Sequence, residues 1–271
     1  MGLKTEDIKP RIASRILTPK AELLSGEHAG EIRDLLEQRG VLVFPEVHFT
    51  DEEQVIFTES LGNIAPENTG ENIYKVTLDT KANALADYLK GSMYWHIDGT
   101  MNDVPILASI LSAKVLSEEG VQTEFCNTYA AYDDLTEEEK QRYEKLKVLH
   151  SAWNSLFYYN PEPASAMLEQ MMAIGDNELP LVWNHRSGRK SLVLGCTAYQ
   201  VVDQSYRDSA ALLVKLREWA TQPDFLYRHE WTVGDTVIWD NTGTMHRAIP
   251  YDPACGRMLH RTKLEGEEAF A

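Results

Sequence analysis

The chain has no C-x-x-C pair, no run of eighteen apolar residues and no surplus of basic charge, and each absence removes a class of protein. Its three cysteines, Cys126, Cys196 and Cys255, are an odd and scattered set. Neither a disulfide framework nor a thiolate zinc site is indicated, and a reducing, cytoplasmic setting is expected. Apolar runs this short predict no membrane-spanning segment. The stretch from Met1 to Pro19 mixes Lys, Glu, Asp and Arg with single aliphatics, unlike the apolar core of a signal peptide, and Glu6 stands where a myristoylation motif needs Ser or Thr. Basic residues number 26 against 42 acidic ones, a formal net charge of −16. A nucleic-acid or anionic-membrane partner is therefore not expected, because both are polyanions that need a basic patch. The chain also lacks G-x-G-x-x-G, G-x-x-x-x-G-K-[ST], G-x-S-x-G and H-E-x-x-H, so nucleotide-binding and serine-hydrolase readings have no support.

What is present is the composition of an ordinary globular protein: 43% hydrophobic, 25% charged and 9% aromatic over 271 residues. There is no internal repeat, and Gly and Pro are scattered as punctuation, so a single domain over 1–271 is expected. Helical spacing runs from Glu27 to Arg39 and stops at Gly40, followed by the buried-strand run Val41–Phe44. Thr50 with Glu53 forms a capping box for a helix ending near Gly62, and Thr136 with Glu139 another for Glu137–Lys147. Helices are further expected over Pro163–Ile174 and Ser209–Ala220. Residues 63–92 are polar and weakly patterned, and read as a loop-rich lid. Strands are expected at Tyr94–Asp98, Ala108–Leu116, Leu181–Trp183, Ser191–Leu194, Leu226–Trp231, Thr236–Trp239 and Met258–Leu264. Many short strands with a few non-alternating helices point to a β-sandwich or barrel with helices packed outside.

Among candidate chemical residues, His96-Ile97-Asp98 comes first. In an extended chain residues i and i+2 share a face, so His96 and Asp98 can present an imidazole nitrogen and a carboxylate to one ion. About one H-x-[DE] is expected by chance in such a composition, so this pair alone decides little. The second feature is Trp239-Asp240-Asn241-Thr242-Gly243-Thr244-Met245-His246, followed by Arg257-Met258-Leu259-His260-Arg261. Period two puts Arg257, Leu259 and Arg261 on one face. If that face points into a barrel, two guanidinium groups are desolvated and anions must meet them; if it points outward, both are solvated.

Together these motifs resemble the iron(II)- and 2-oxoglutarate-dependent dioxygenases of the taurine and aryloxyacetate dioxygenase (TauD/TfdA) family. The family's W-H-x-D corresponds to Trp95-His96-Ile97-Asp98, its G-x-x-T to Gly120-Val121-Gln122-Thr123, and its W-D-N-x-x-x-x-H to Trp239 through His246. Its two arginines, eleven and fifteen residues past the distal histidine, correspond to Arg257 and Arg261. The resemblance implies a mainly β fold with added helices around a double-stranded β-helix, a jelly-roll, cupin-like core. It implies that His96, Asp98 and His246 bind Fe(II), that Thr123 and Arg257 hold the carboxylates of 2-oxoglutarate, and that Arg261 lies beside the cosubstrate or the substrate anion. Where taurine-type members carry a substrate-gripping histidine, this chain has Ala65-Pro66-Glu67, which argues against taurine itself. The other histidines, His28, His48, His150, His185, His229 and His260, match no motif and read as surface or structural residues.

Three protein ligands on one face of an octahedral ion leave three positions for a chelating 2-oxo acid and O2, and imidazoles with a carboxylate suit Fe(II). The implied reaction hydroxylates an aliphatic C–H of a small organic substrate and yields succinate and CO2. Asp98 stands where related halogenases have Gly or Ala, which favours hydroxylation. Trp153, Phe157, Tyr158 and Tyr159, with Tyr94 and Met101 beside the metal motif, suggest an aromatic or apolar substrate bearing a carboxylate, although such clusters commonly belong to a core. A sulfonate dioxygenase, a cupin-like metal-binding sensor without turnover, and a zinc hydrolase on the same triad are the alternatives, and a homo-oligomer is left open.

Overall fold

The computed structural model describes residues 2–67, 70–83, 86–118 and 122–271. The run Val41-Leu42-Val43-Phe44 shows how the architecture arises. All four side chains are buried, yet they alternate: Val41 and Val43 enter one apolar cluster, Leu42 and Phe44 another. A strand covered on both faces needs apolar residues at every position, which is why it reads as a continuous run.

This strand lies in a seven-stranded sheet with the order Thr5–Asp7, Ser14–Ile16, Val41–Phe44, Thr236–Asp240, Ala108–Val115, Met258–Leu264 and Tyr74–Val76. Every pairing is antiparallel except that of Ser14–Ile16 with Val41–Phe44. Its outer face is covered by the helices Ala29–Arg39 and Asp51–Leu61, whose Ile32, Leu36, Phe57 and Leu61 pack on Leu42, Phe44, Ile110 and Ile238. Each such side chain contributes about 1.5–3 kcal/mol on burial. Its inner face packs on a three-stranded sheet ordered Leu226–Glu230, Gln122–Asn127, Thr244–Ala248, with Phe125, Tyr227, Trp231, Val237, Trp239 and Leu259 filling the space between. The outer side of the small sheet, through Cys126 and Met245, joins a third cluster with the helices Thr128–Asp133 and Tyr206–Ala220. The fold is the expected jelly roll with helices outside.

Both capping boxes are present: the Glu53 amide donates to Thr50 Oγ1 at 3.1 Å, and the Glu139 amide to Thr136 Oγ1 at 3.3 Å. The second helix is shorter than expected, Glu137–Tyr143, because Lys147–Ser151 is drawn into a strand between Ala198–Val201 and Asp176–Pro180. Tyr94–Asp98 is not a strand but a single bridge at His96, since the chain turns at Gly99, where φ is +90° and a Cβ would meet Ile106 N at 2.8 Å. The aromatic stretch is a helix, Ala152–Tyr159. Residues 63–92 include a strand, Tyr74–Val76, and a short helix, Ala86–Leu89. The unforeseen strands Gln122–Asn127 and Thr244–Ala248 are disguised by charge: Glu124 and Arg247 lie opposite each other, and Glu124 is buried between Arg247 and Arg228.

Candidate active site

Thr244–Ala248 is an edge strand of the small sheet, and the segment around His96 joins it there. His96 and His246 exchange both backbone hydrogen bonds, at 3.1 and 2.9 Å. Directly opposed residues of an antiparallel pair project to the same side, and the two imidazoles lie with centroids 4.1 Å apart. The segment is held from behind by Gly195 (φ +126°), where a Cβ would meet His96 Cα at 3.0 Å, and by the Cys196 amide donating to Trp95 O at 2.8 Å. Asp98, two residues on, completes the group. Its oxygens lie 3.7 Å from His96 Nε2 and 3.8 Å from His246 Nε2, and one ligand atom from each residue falls within 4.8 Å of the others.

Each member is oriented differently. His96 Nδ1 donates to Tyr94 O at 2.8 Å, which leaves Nε2 with its lone pair toward the shared space. His246 has no such bond, and its Nδ1 is buried without a partner. Packing holds this ring instead, with Trp239 at 4.6 Å and Phe125 stacked at 6.3 Å. Asp98 terminates a relay: Trp239 Nε1 donates to Asn241 Oδ1 (2.9 Å), Asn241 Nδ2 to Ser109 Oγ (3.1 Å), and Ser109 Oγ to Asp98 Oδ2 (2.9 Å). Burial alone would raise the Asp98 carboxyl, but His246, Arg261, His96 and the Ser109 hydroxyl hold it well below the usual range. Burial, followed by the neighbouring His96, pushes His246 well below the ordinary imidazole value. An ionised carboxylate beside a neutral imidazole is a donor set fit for a divalent ion.

The group opens into a cavity of about 350 Å³. His96 and Asp98 line it, with Arg261, Tyr74, Tyr88 and Tyr159 among the walls. Of the aromatic stretch only Tyr159 faces this space: Tyr158 packs edge-on against Tyr94, while Trp153 packs on Phe157 and Tyr199. Thr123 and Arg257 lie outside the cavity lining. Thr123 is buried opposite Ala248 and accepts from Trp231 Nε1 at 2.9 Å; being two residues from Phe125, it shares the face that packs on His246. Gly120 and Val121 of the expected motif lie outside the described residues. Arg257 is 3% exposed, sits 4.6 Å over the Tyr251 ring, and has an unpartnered Nε. Among the described residues no carboxylate pairs with it. Burial accordingly draws its guanidinium below its ordinary value. A buried cation without a counter-ion is an anion receptor.

The two arginines do not share a regular strand face. The strand starts at Met258, and a register shift between Met258 and Leu259 separates them. Arg261 alone reaches the cavity, where Glu67 pairs with it. Five of the six other histidines are buried rather than superficial; His48 alone is exposed. Ser109 was not singled out from the sequence and carries no local pattern, since its partners are more than ten residues away on either side.

A jelly roll bearing two histidines and an aspartate at the mouth of its small sheet defines a 2-His-1-carboxylate oxygenase. The chain belongs to the taurine catabolism dioxygenase TauD, TfdA family, whose model matches residues 4–263. It is 32% identical over 287 residues to an alpha-ketoglutarate-dependent 2,4-dichlorophenoxyacetate dioxygenase of Burkholderia sp. (strain RASC), covering 98% of this chain and 95% of the relative. An alkylsulfatase of Acinetobacter baylyi is 34% identical over 87% of this chain and 76% of its own. Among solved structures, AAD-2 in complex with Mn(II) and N-oxalylglycine superposes with a TM-score of 0.86 at 30% identity over the whole of both chains. The protein is a dioxygenase dependent on Fe(II), 2-oxoglutarate and O2.

Proposed function

We propose that the enzyme hydroxylates an aliphatic C–H of a small organic molecule held in the 350 Å³ cavity, with His96, Asp98 and His246 as the iron ligands. The stoichiometry is R–H + O2 + 2-oxoglutarate → R–OH + succinate + CO2. When bound, ferrous iron supplies the redox chemistry that splits O2 and oxidises the C–H. The chain's own residues do the rest. Neutral His246 and ionised Asp98 accept the ion without first losing a proton, and the Trp239–Asn241–Ser109 relay keeps the carboxylate aimed.

The observation that carries the cosubstrate assignment is buried, uncompensated Arg257, which suits the distal carboxylate of 2-oxoglutarate, with Thr123 as a further hydroxyl contact. Arg261, in the cavity, is assigned to the substrate side. Glu67, Tyr74 and Tyr88 all come from 63–92, which supports reading that segment as a cover that keeps the reacting C–H away from water. The unpaired Cys126, Cys196 and Cys255 support a reducing, cytoplasmic location, and no helix among the described residues is long and apolar enough to cross a membrane.

Anaerobic addition of Fe(II) and 2-oxoglutarate tests the reading, because bidentate chelation of ferrous iron by a 2-oxo acid gives a visible charge-transfer band. The band should form in the wild type and be lost in His96→Ala and His246→Ala. Succinate release in air separates turnover from sensing. A wild type without the band, or a zinc-loaded form that is the active one, refutes the proposal.

A further inference from the structure

The polar groups of the cavity are already committed to one another in a way that restricts what the enzyme accepts. Arg261 and Lys263 are two residues apart on the strand Met258–Leu264, so both project to the same side, and both reach Glu67. Glu67 is 8% exposed. Its Oε1 accepts from Arg261 Nε (3.3 Å) and Nη2 (3.2 Å), while Oε2 accepts from Arg261 Nη2 (3.2 Å) and lies 2.9 Å from Lys263 Nζ. A carboxylate has about four acceptor positions, and these four contacts fill them.

Glu67 is also fixed in place by the backbone. Ile64 bridges to Leu264, and the Ala65 amide donates to Lys263 O at 2.9 Å, docking this segment on the very strand that carries both cations. The Glu67 amide donates to Glu71 O and its carbonyl accepts from Gly70 N. Withdrawal of the carboxylate would break a buried, doubly paired arrangement.

Glu67 does not use every donor of the guanidinium: its contacts run through Nε and Nη2, and Nη1 with its two N–H groups has no partner among the described residues. Tyr159 also lines the cavity, with its hydroxyl buried and without a hydrogen-bond partner. A carboxylate or sulfonate is gripped best by a full guanidinium edge, and the Nε–Nη2 edge of Arg261 is already taken by an internal carboxylate, which leaves an incoming anion only the Nη1 side. An incoming anion would also lie beside Glu67, and the Asp98 carboxylate already acts on the same guanidinium.

Building on the dioxygenase reading above, we infer that Glu67 is a specificity-determining residue that excludes carboxylate and sulfonate substrates and reserves the cavity for a neutral molecule with an apolar or aromatic body. The group that Arg261 Nη1 engages is then an uncharged oxygen acceptor, such as an amide, ester, ether or lactone oxygen. This departs from the aromatic carboxylate expected from the sequence.

The test is calorimetric and anaerobic, on protein loaded with Fe(II) and 2-oxoglutarate, using phenoxyacetate and phenoxyacetamide as probes that share a body and differ in charge. Wild type should prefer the amide. Glu67→Gln, which keeps the shape and drops the charge, should gain about tenfold or more in phenoxyacetate affinity without a matching gain for the amide. Glu67→Asp should keep the wild-type order. The inference is overturned if wild type prefers the carboxylate, or if Glu67→Gln shows no selective gain for it; a wild type that binds neither probe is decided by that second comparison. The charge-transfer band of the same samples reports separately on the dioxygenase reading: its absence in wild type refutes that reading whatever the probes do, and its presence in Glu67→Gln shows that the variant is folded.

Discussion

Removing one hydroxyl should loosen the metal centre from a distance. Ser109 is fully buried, and its Oγ donates to Asp98 Oδ2 at 2.9 Å while accepting from Asn241 Nδ2. A hydrogen bond to a charged group contributes about 1.5–3 kcal/mol, and losing a partner that orients a metal ligand typically costs about 10- to 100-fold in metal affinity. The two scales agree, since about 1.4 kcal/mol is tenfold. Ser109→Ala should therefore raise the Fe(II) concentration at half-formation of the charge-transfer band by about 10- to 100-fold at saturating 2-oxoglutarate. It also leaves the Asn241 amide without its acceptor, so the metal-free protein should lose about 1–2 kcal/mol in urea unfolding. Ser109→Cys, a weaker donor of similar size, should fall between the two. An iron titration for Ser109→Ala within about twofold of wild type would refute the claim that the relay holds Asp98.

Arg257→Ala should raise the 2-oxoglutarate half-saturation value on the order of a hundredfold, with Lys at that position rescuing only in part because an ammonium lacks the planar fork; if Arg261→Ala shows the large increase instead, the two roles are reversed. His150 is fully buried and burial draws it down to about 3, so the unfolded chain binds a proton that the folded one refuses. Stability should fall as pH drops below about 6.5, by about 2 kcal/mol at pH 5 from this residue, and urea unfolding of His150→Asn should show a shallower loss between pH 7 and 5. Burial raises Asp240 to about 6, which acts with the opposite sign: the folded state keeps the proton longer, so Asp240→Asn should gain stability relative to wild type as pH rises from about 4 to 6, readable in the same titration. Gly195→Ala forces a side chain into positive φ and against His96 Cα at 3.0 Å; it should weaken iron binding more than Gly188→Ala, whose site also has positive φ but no close neighbour.

Much of the jelly roll and the proposed metal triad could be read from residue order because the responsible patterns are local. The Thr50 and Thr136 boxes, the doubly buried Val41–Phe44 and the His96/Asp98 spacing each need only a few consecutive residues. Thr123 and His246 were marked by motif resemblance, whereas the strands that carry them were not legible, because Glu124 and Arg247 interrupt the apolar alternation and Glu124 is buried only by pairing with Arg247 and Arg228. The separation of Arg257 from Arg261 depends on a bulge that period two cannot foresee. The Ser109–Asn241 contact and the Glu67 clasp join residues 132 and 194 positions apart, and exist only once the sheets have closed.

The reciprocal backbone bridge between His96 and His246 also bears on how the protein matures. These residues are 150 positions apart in the chain, so two of the three proposed iron ligands are brought together only after long-range strand pairing, at a large loop-closure cost. The unfolded polypeptide offers no comparable cluster, so ferrous ion selects the completed fold and stabilises it by mass action, about 2.7 kcal/mol at a free concentration one hundred times its dissociation constant. With those ligands, iron supply should help set how long the protein survives in the cell: when the metal is scarce, the edge bridge at His96 keeps its two hydrogen bonds and the Cys196–Trp95 contact behind it but loses the ion's clamp, and opening there exposes the Thr244–Ala248 strand edge to proteases and to pairing with other chains.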